Sequence, residues 1–221
     1  MTSLCRRLVL AGASFLLAIS AFTQDKPDSW LLFANGDRGS ITAHTTRQDL
    51  VRAYGAQNVV DKGISSGEEG IVEGTVLFPN DPERSIEIFW NDFEKKAEPS
   101  SLTIRGDKSR WKTVHDISLG TSLKDLERLN GRPFKVTGFD YDLAATVSSW
   151  ESGSLEKELA GGQGHVYLRL TCSHTGSAPI TNAEHQQLVG DREFSSDHPV
   201  LQKINPCVGE MIWTFPQKTE N

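Results

Sequence analysis

The sequence predicts an α+β fold made of two repeated units, each a short helix packed on an antiparallel sheet, with a C-terminal extension of helix and strand. Three observations predict it. The stretches "ITAHTTRQDLVRAYG" (41–55) and "ISLGTSLKDLERLNG" (117–131) share Ile41/Ile117, Thr45/Thr121, Asp49/Asp125, Leu50/Leu126, Arg52/Arg128 and Gly55/Gly131. Each is followed by runs that alternate apolar and polar residues, the period of a half-buried strand. The last fifty residues break this rhythm and carry helix caps of their own.

In chain order, residues 1–23 read as a signal peptide. Arg6 and Arg7 precede an uncharged run, Leu8 to Phe22, that is shorter than the ~20 residues of a membrane span. Ala18/Ser20 and Ala21/Thr23 mark two candidate cut points. Residues 24–40 are a lead-in, 41–110 the first unit, 111–171 the second and 172–221 the extension. Without the signal peptide the chain has 21 basic and 29 acidic residues, a net charge of −8. Such an acidic chain without a basic cluster argues against nucleic acid and anionic lipid as partners. No membrane span is expected after cleavage, and the location expected is periplasmic or secreted. The absence of an Asn-x-Ser/Thr sequon gives no sign of glycosylation.

Both helices are marked at their ends. Thr46 and Ser122 can cap the first turn, with Asp49 and Asp125 three residues on in a variant of the capping box. Gly55 and Gly131 supply a left-handed stop, and Pro133 prevents the second helix from resuming. At about nine residues each helix is too short to persist alone and needs a platform. The first platform reads as strands at 74–79, 85–90 and 101–106, with Val76 and Phe78, then Ile86, Ile88 and Trp90, then Leu102 and Ile104 on one face. The second reads as 133–139, 146–150 and 165–171, with Val166, Leu168 and Leu170 in and Tyr167, Arg169 and Thr171 out. Gly138 interrupts the alternation and suggests a bulge. In the tail, Thr181 and Glu184 cap a helix ending at Gly190, a further helix runs from Asp197 to Asn205, and "GEMIWTF" is a closing strand. Residues 152–164 form a loop with one helical turn.

Cys5 leaves with the signal peptide, so Cys172 and Cys207 remain. In an oxidising compartment the simplest outcome is one disulfide, worth roughly 3–4 kcal/mol; the alternative is two buried thiols.

The "ISLGTSLKDLERLNGRPF" stretch, with its earlier echo and the sheets that follow, resembles the tandem repeat of β-lactamase inhibitor proteins. The single unit looks like the small outer-membrane lipoprotein of the barrel-assembly machinery, and the chain also resembles an uncharacterised family of exported bacterial proteins. The likeness spans about 41–171. The lipoproteins' acylated cysteine is absent, the inhibitors' contact loops find no residue-by-residue match, and His44 stands where the second copy has Gly120. The resemblance implies a fold and a role by protein contact; fold alone does not establish function.

Enzyme motifs are scarce. There is no Walker loop, H-E-x-x-H or G-x-G-x-x-G. "GGQG" (161–164) lacks the Lys-Ser/Thr of a phosphate loop, Ser154-Leu-Glu-Lys157 lacks the surroundings of a serine–lysine enzyme, and Arg105-Gly106-Asp107 reads as a turn. Six scattered histidines show no metal spacing. No metal and no cofactor are expected. The alternative to a binding protein is a small hydrolase or metal-dependent enzyme using His115, Asp116, Asp140 and Asp142, where paired aspartates raise one pKa. The aromatics Phe89, Trp90, Trp111, Phe139, Tyr141 and Trp150 are the candidate binding residues, because large amphipathic rings dominate interfaces; the competing assignment, above all for Trp90 and Trp150, is core. The sequence thus points to an exported non-enzymatic protein that binds another protein or an envelope component through sheet faces.

Overall fold

A computed structural model describes residues 41–66, 70–140, 144–159, 164–173 and 178–216. Residues 1–40, where the sequence suggests a signal peptide and a lead-in, lie outside them, as do Tyr141, Asp142 and residues 161–163. The elements are α1 (Arg47–Tyr54), a 3-10 turn (Ala56–Asn58), β1 (Val59–Ser65), β2 (Ile71–Leu77), β3 (Ile86–Asp92), β4 (Ala97–Arg105), α2 (Leu123–Asn130), β5 (Lys135–Thr137), β6 (Val147–Ser149), α3 (Glu156–Leu159), β7 (His165–Arg169), β8 (Cys172–Ser173), α4 (Asn182–His185), β9 (Glu193–Ser195), α5 (Pro199–Ile204), β10 (Pro206–Cys207) and β11 (Glu210–Thr214). The fold is α+β.

The two helix starts form by the chemistry their sequences announce. The Thr46 hydroxyl accepts from the Asp49 amide (3.2 Å) while the Asp49 carboxylate accepts from the Thr46 amide (2.8 Å), a complete capping box. Ser122 accepts from the Asp125 amide (3.1 Å), and its hydroxyl donates to the Asp125 carboxylate (2.7 Å). Their approaches share several bonds. Thr45 N–H donates to Thr42 O and Thr121 N–H to Ser118 O. Each cap residue then bridges antiparallel to another strand, Thr46 to Ala97 and Ser122 to Cys207. The next residue of each partner strand donates back, Glu98 to Thr45 O (3.2 Å) and Val208 to Thr121 O (2.9 Å). The stops differ. Gly131 is left-handed (φ 76°, ψ 2°), but Gly55 combines φ 83° with ψ 146°, so the chain there leaves in an extended direction into the 3-10 turn.

Six strands form one antiparallel sheet in the order β1-β2-β3-β4-β11-β7, and β6-β5-β9 form a second. Thr146, just before β6, bridges to Arg169 at the end of β7, and Leu170 N–H donates to Ala145 O (2.8 Å), so the small sheet abuts the large one. β8 and β10 continue the β7–β11 pairing in the same register, with Cys172 opposite Cys207 and Arg169 opposite Glu210. At the β4–β11 seam, β4 is flanked by β3 and β11 by β7.

This topology revises the expected layout. The first platform has four strands rather than three. β1 escapes the alternation rule because its sequence, VVDKGIS, buries only Val59 and Ile64 and places them on opposite faces. The third strand of the second platform, β7, joins the large sheet. The boundary at 171/172 is not a boundary in the sheets, since β11 fills the seam and β9 pairs with β5. Gly138 is not at a bulge; the irregularity falls between Lys135 and Val136. A Cβ on Gly138 would lie 2.1 Å from Gly190 O, so glycine is required there by the close passage of 188–190.

The core lies on the helix side of the large sheet, where Leu77, Ile86, Ile88, Trp90, Leu102, Ile104, Val166, Leu168 and Met211 meet Leu50, Leu123 and Leu126. Segment 178–205 closes over α2: Glu127 accepts from Ser196 Oγ (3.0 Å) and Gln202 Nε2 (2.9 Å), and Asn205 Oδ1 accepts from the Lys124 amide (3.1 Å).

Candidate functional site

Strand alternation gives the large sheet a second face, opposite Leu77, Ile88 and Leu102. One row of partners crosses all six strands: Val60, Val76, Glu87, Thr103, Ile212 and Tyr167. A neighbouring row includes Phe89 and Ser101, then Thr214 and His165. Val76 and Thr103 are buried, Phe89 and Ile212 half-buried, and Val60 (39 %) and Tyr167 (38 %) exposed. The His165 and Tyr167 rings stack with centroids 4.3 Å apart. Burial holds the His165 imidazole below its usual pKa.

A charged ladder borders the apolar rows. Arg105 on β4 pairs with Glu87 on β3 and with Glu210 on β11 (Nε to Oε1, 2.6 Å), and Glu210 pairs with Arg169 on β7 (3.1 Å). Glu210 is buried, so it relies on both arginines for compensation. Burial raises the Glu87 carboxyl above its usual range against the opposing pull of Arg105. The ladder fixes side chains on four adjacent strands and leaves Arg105 engaged, which accounts for the Arg105-Gly106-Asp107 triplet as a strand end and turn.

The sequence candidates divide. Phe89 lies on the second face. Trp90 and Trp150 are core: the Trp90 indole donates to Thr75 Oγ1 (2.9 Å), and Trp150 packs on Phe134 at 5.0 Å between centroids. Their polar and aromatic partners lie inside, so neither ring is a contact residue. Trp111 and Phe139 are half-buried against the core, with the Trp111 indole donating to Arg84 O (3.1 Å). Tyr141 is outside the described residues. Ile212 and Tyr167 were missed as site residues. The outward phase of "HVYLRLT" marks Tyr167, whereas "EMIWT" is apolar on both phases and hides Ile212.

The enzyme candidates do not form one described cluster. His115 and Asp116 are exposed at the rim of a shallow depression lined also by Thr121, Asp125, Arg128 and Leu129. Asp116 pairs with Lys112 (2.5 Å), and Asp140 with His185 (3.5 Å). Asp142 is outside the described residues. Among those residues no group of three His, Cys, Asp or Glu side chains is placed to hold a metal ion, and no helix is long and apolar enough to cross a membrane.

Compared with known proteins, the chain matches no family, no curated protein and no solved structure.

Proposed function

We propose that this is an exported, non-enzymatic protein that binds another protein or an envelope component through the second face of its large sheet. The carrying observation is the row from Val60 to Tyr167, which with Phe89 in the neighbouring row sets Val60, Ile212 and Tyr167 on one face of a six-stranded sheet. Aromatic groups held on regular structure make effective contacts because little side-chain freedom is lost on binding. The ladder of Arg105, Glu210 and Arg169 gives the surface a fixed polar border. The export reading rests on Arg6, Arg7 and the run from Leu8 to Phe22.

The reading includes descent from a repeated unit akin to the β-lactamase inhibitor proteins. It is supported by the two similar helix approaches, each with its cap residue bridged to a strand that follows it in the chain.

Site-specific photo-crosslinking in the native envelope tests the binding reading. A crosslinker at Phe89, Ile212 or Tyr167 is expected to trap one common partner, while the same group at the exposed Val114 traps none. Failure of all three positions to crosslink would overturn the assignment of this face.

A further inference from the structure

Apart from its faces, the large sheet has a strand edge at β1. Phe78 N–H donates to Asn58 O (2.7 Å) and Ser66 N–H to Gly70 O (2.8 Å), so at both ends of the β1–β2 ladder the even-numbered residues of β1 are the bonded ones. In an antiparallel pair the intervening residues turn their N–H and C=O groups the other way. Asp61, Gly63 and Ser65 therefore direct theirs outward. The Val59 carbonyl, at the start of this series, is occupied by Arg47 Nη2 (3.4 Å), which sets the limit of the edge left open among the described residues. Lys62, Gly63 and Ser65 are exposed. Beside the edge stands Ile71, the most exposed large apolar residue among those described (77 %). It leans over Gly63, where an added Cβ would fall 2.5 Å from Ile71 Cγ2.

We propose that β1 is a self-association edge, pairing antiparallel with β1 of a second copy so that Gly63 meets Gly63 across a two-fold axis. The pattern is self-complementary in this register. Asp61 falls opposite Ser65 of the other copy and Lys62 opposite Ile64, so no like charges are directly opposed and the lysine stem lies along an aliphatic partner. Two side-chain-free residues at the axis let the backbones approach. The two copies of Ile71, each lying over its own Gly63, face one another across the axis and remove their apolar surface from water. The pairing joins two six-stranded sheets into one continuous sheet and satisfies the outward backbone groups of Asp61, Gly63 and Ser65.

Sedimentation equilibrium of the purified protein from about 1 µM to about 500 µM, a range that brackets the weak association of a short ladder, tests this. A reversible monomer–dimer equilibrium is expected. Ser65→Pro removes an outward N–H while leaving the β1–β2 bonds intact; loss of two symmetry-related hydrogen bonds, each about fivefold, weakens association about 25-fold. Ile71→Asp weakens it as well and covers the case in which the proline variant folds poorly, which circular dichroism detects. Val114→Ser, at an exposed apolar site elsewhere, leaves it unchanged. A monomer throughout the range overturns the proposal, as does a dimer that both Ser65→Pro and Ile71→Asp leave intact. Monomeric protein that nevertheless binds extended peptides along β1 would assign the edge to a foreign strand instead.

Discussion

The side-chain amide of Asn130, the last residue of α2, donates to the carbonyl of Trp150 twenty residues further along the chain (3.0 Å). The same amide donates to Arg132 O (3.0 Å), and Asn130 Oδ1 accepts from the Leu155 amide (3.3 Å). One buried side chain thus satisfies the backbone of three segments as α2 ends and the β6–α3 connection begins. A Cβ on Gly153 would lie 2.0 Å from Asn130 Oδ1, so that glycine is needed for the amide to fit. Asn130→Ala is expected to lose about 2–4 kcal/mol, since it leaves buried backbone groups without partners. Asn130→Asp keeps the shape but not the donors and is also expected to destabilise. Urea denaturation of both variants checks this.

Phe89 and Trp90 are neighbours in sequence on opposite faces of β3. Trp90→Ala is expected to cost about 3–5 kcal/mol through loss of packing and of the bond to Thr75. Phe89→Ala is expected to cost less than half of that because its ring is only half-buried, while partner crosslinking at Tyr167 falls. Thermal melts read the first difference and crosslinking yield the second.

Lys203 Nζ holds the Glu184 carboxylate at 2.7 Å and the Thr181 amide donates to it at 2.8 Å, which lowers its pKa to about 2. A lowered carboxyl pKa contributes stability that is present above the unfolded value near 4.5 and lost as pH falls toward 2. Lys203→Met is expected to move the Glu184 pKa back toward 4.5. A carboxyl-carbon NMR titration of both proteins measures it; an unchanged value in the variant refutes the assignment of cause.

Burial lowers the His165 pKa as well, so the same sign applies there, in a higher pH window. The unfolded chain binds the proton more readily, and the contribution of His165 to stability falls as pH drops through 6.5. His165→Phe, which cannot charge, is expected to flatten the stability profile just below that pH. Denaturation midpoints measured across the range from neutral to mildly acid check it.

Cys172 stands opposite Cys207 in the β8–β10 pair, and the disulfide proposed between them closes a loop of about 35 residues. Intact-mass analysis of residues 24–221, purified under oxidising conditions, with an alkylating agent is expected to find no free thiol, and Cys172→Ala with Cys207→Ala to lower stability by about 3–4 kcal/mol.

The helices were legible in the sequence because their signals are local. A cap residue and its partner three positions on act within one turn, and Thr46/Asp49 and Ser122/Asp125 do so. The strands of both platforms were legible from alternation, apart from β1, where a mid-strand Lys62-Gly63 pair and the Asp61 carboxylate tied to Thr75 and Arg47 replace apolar residues. Strand pairing was not legible. Nothing in "HVYLRLT" states that its neighbour is the segment from Glu210 to Thr214, because register depends on contacts between distant residues. The candidate site inherited that gap: Phe89 could be named from its type, but the row containing Ile212 and Tyr167 exists only once β11 is placed between β4 and β7.

The position of β11 also governs when the molecule can come into being. Glu210 to Thr214 joins the two halves of the sheet, yet it follows every other strand among the described residues. During vectorial synthesis the ribosome must release nearly all of the polypeptide before the seam can close, and until then β4 and β7 each present a bare margin to the solvent. A chain of this design stays unfinished while it is being made, a condition compatible with threading through a translocation channel and hazardous for any product that terminates early.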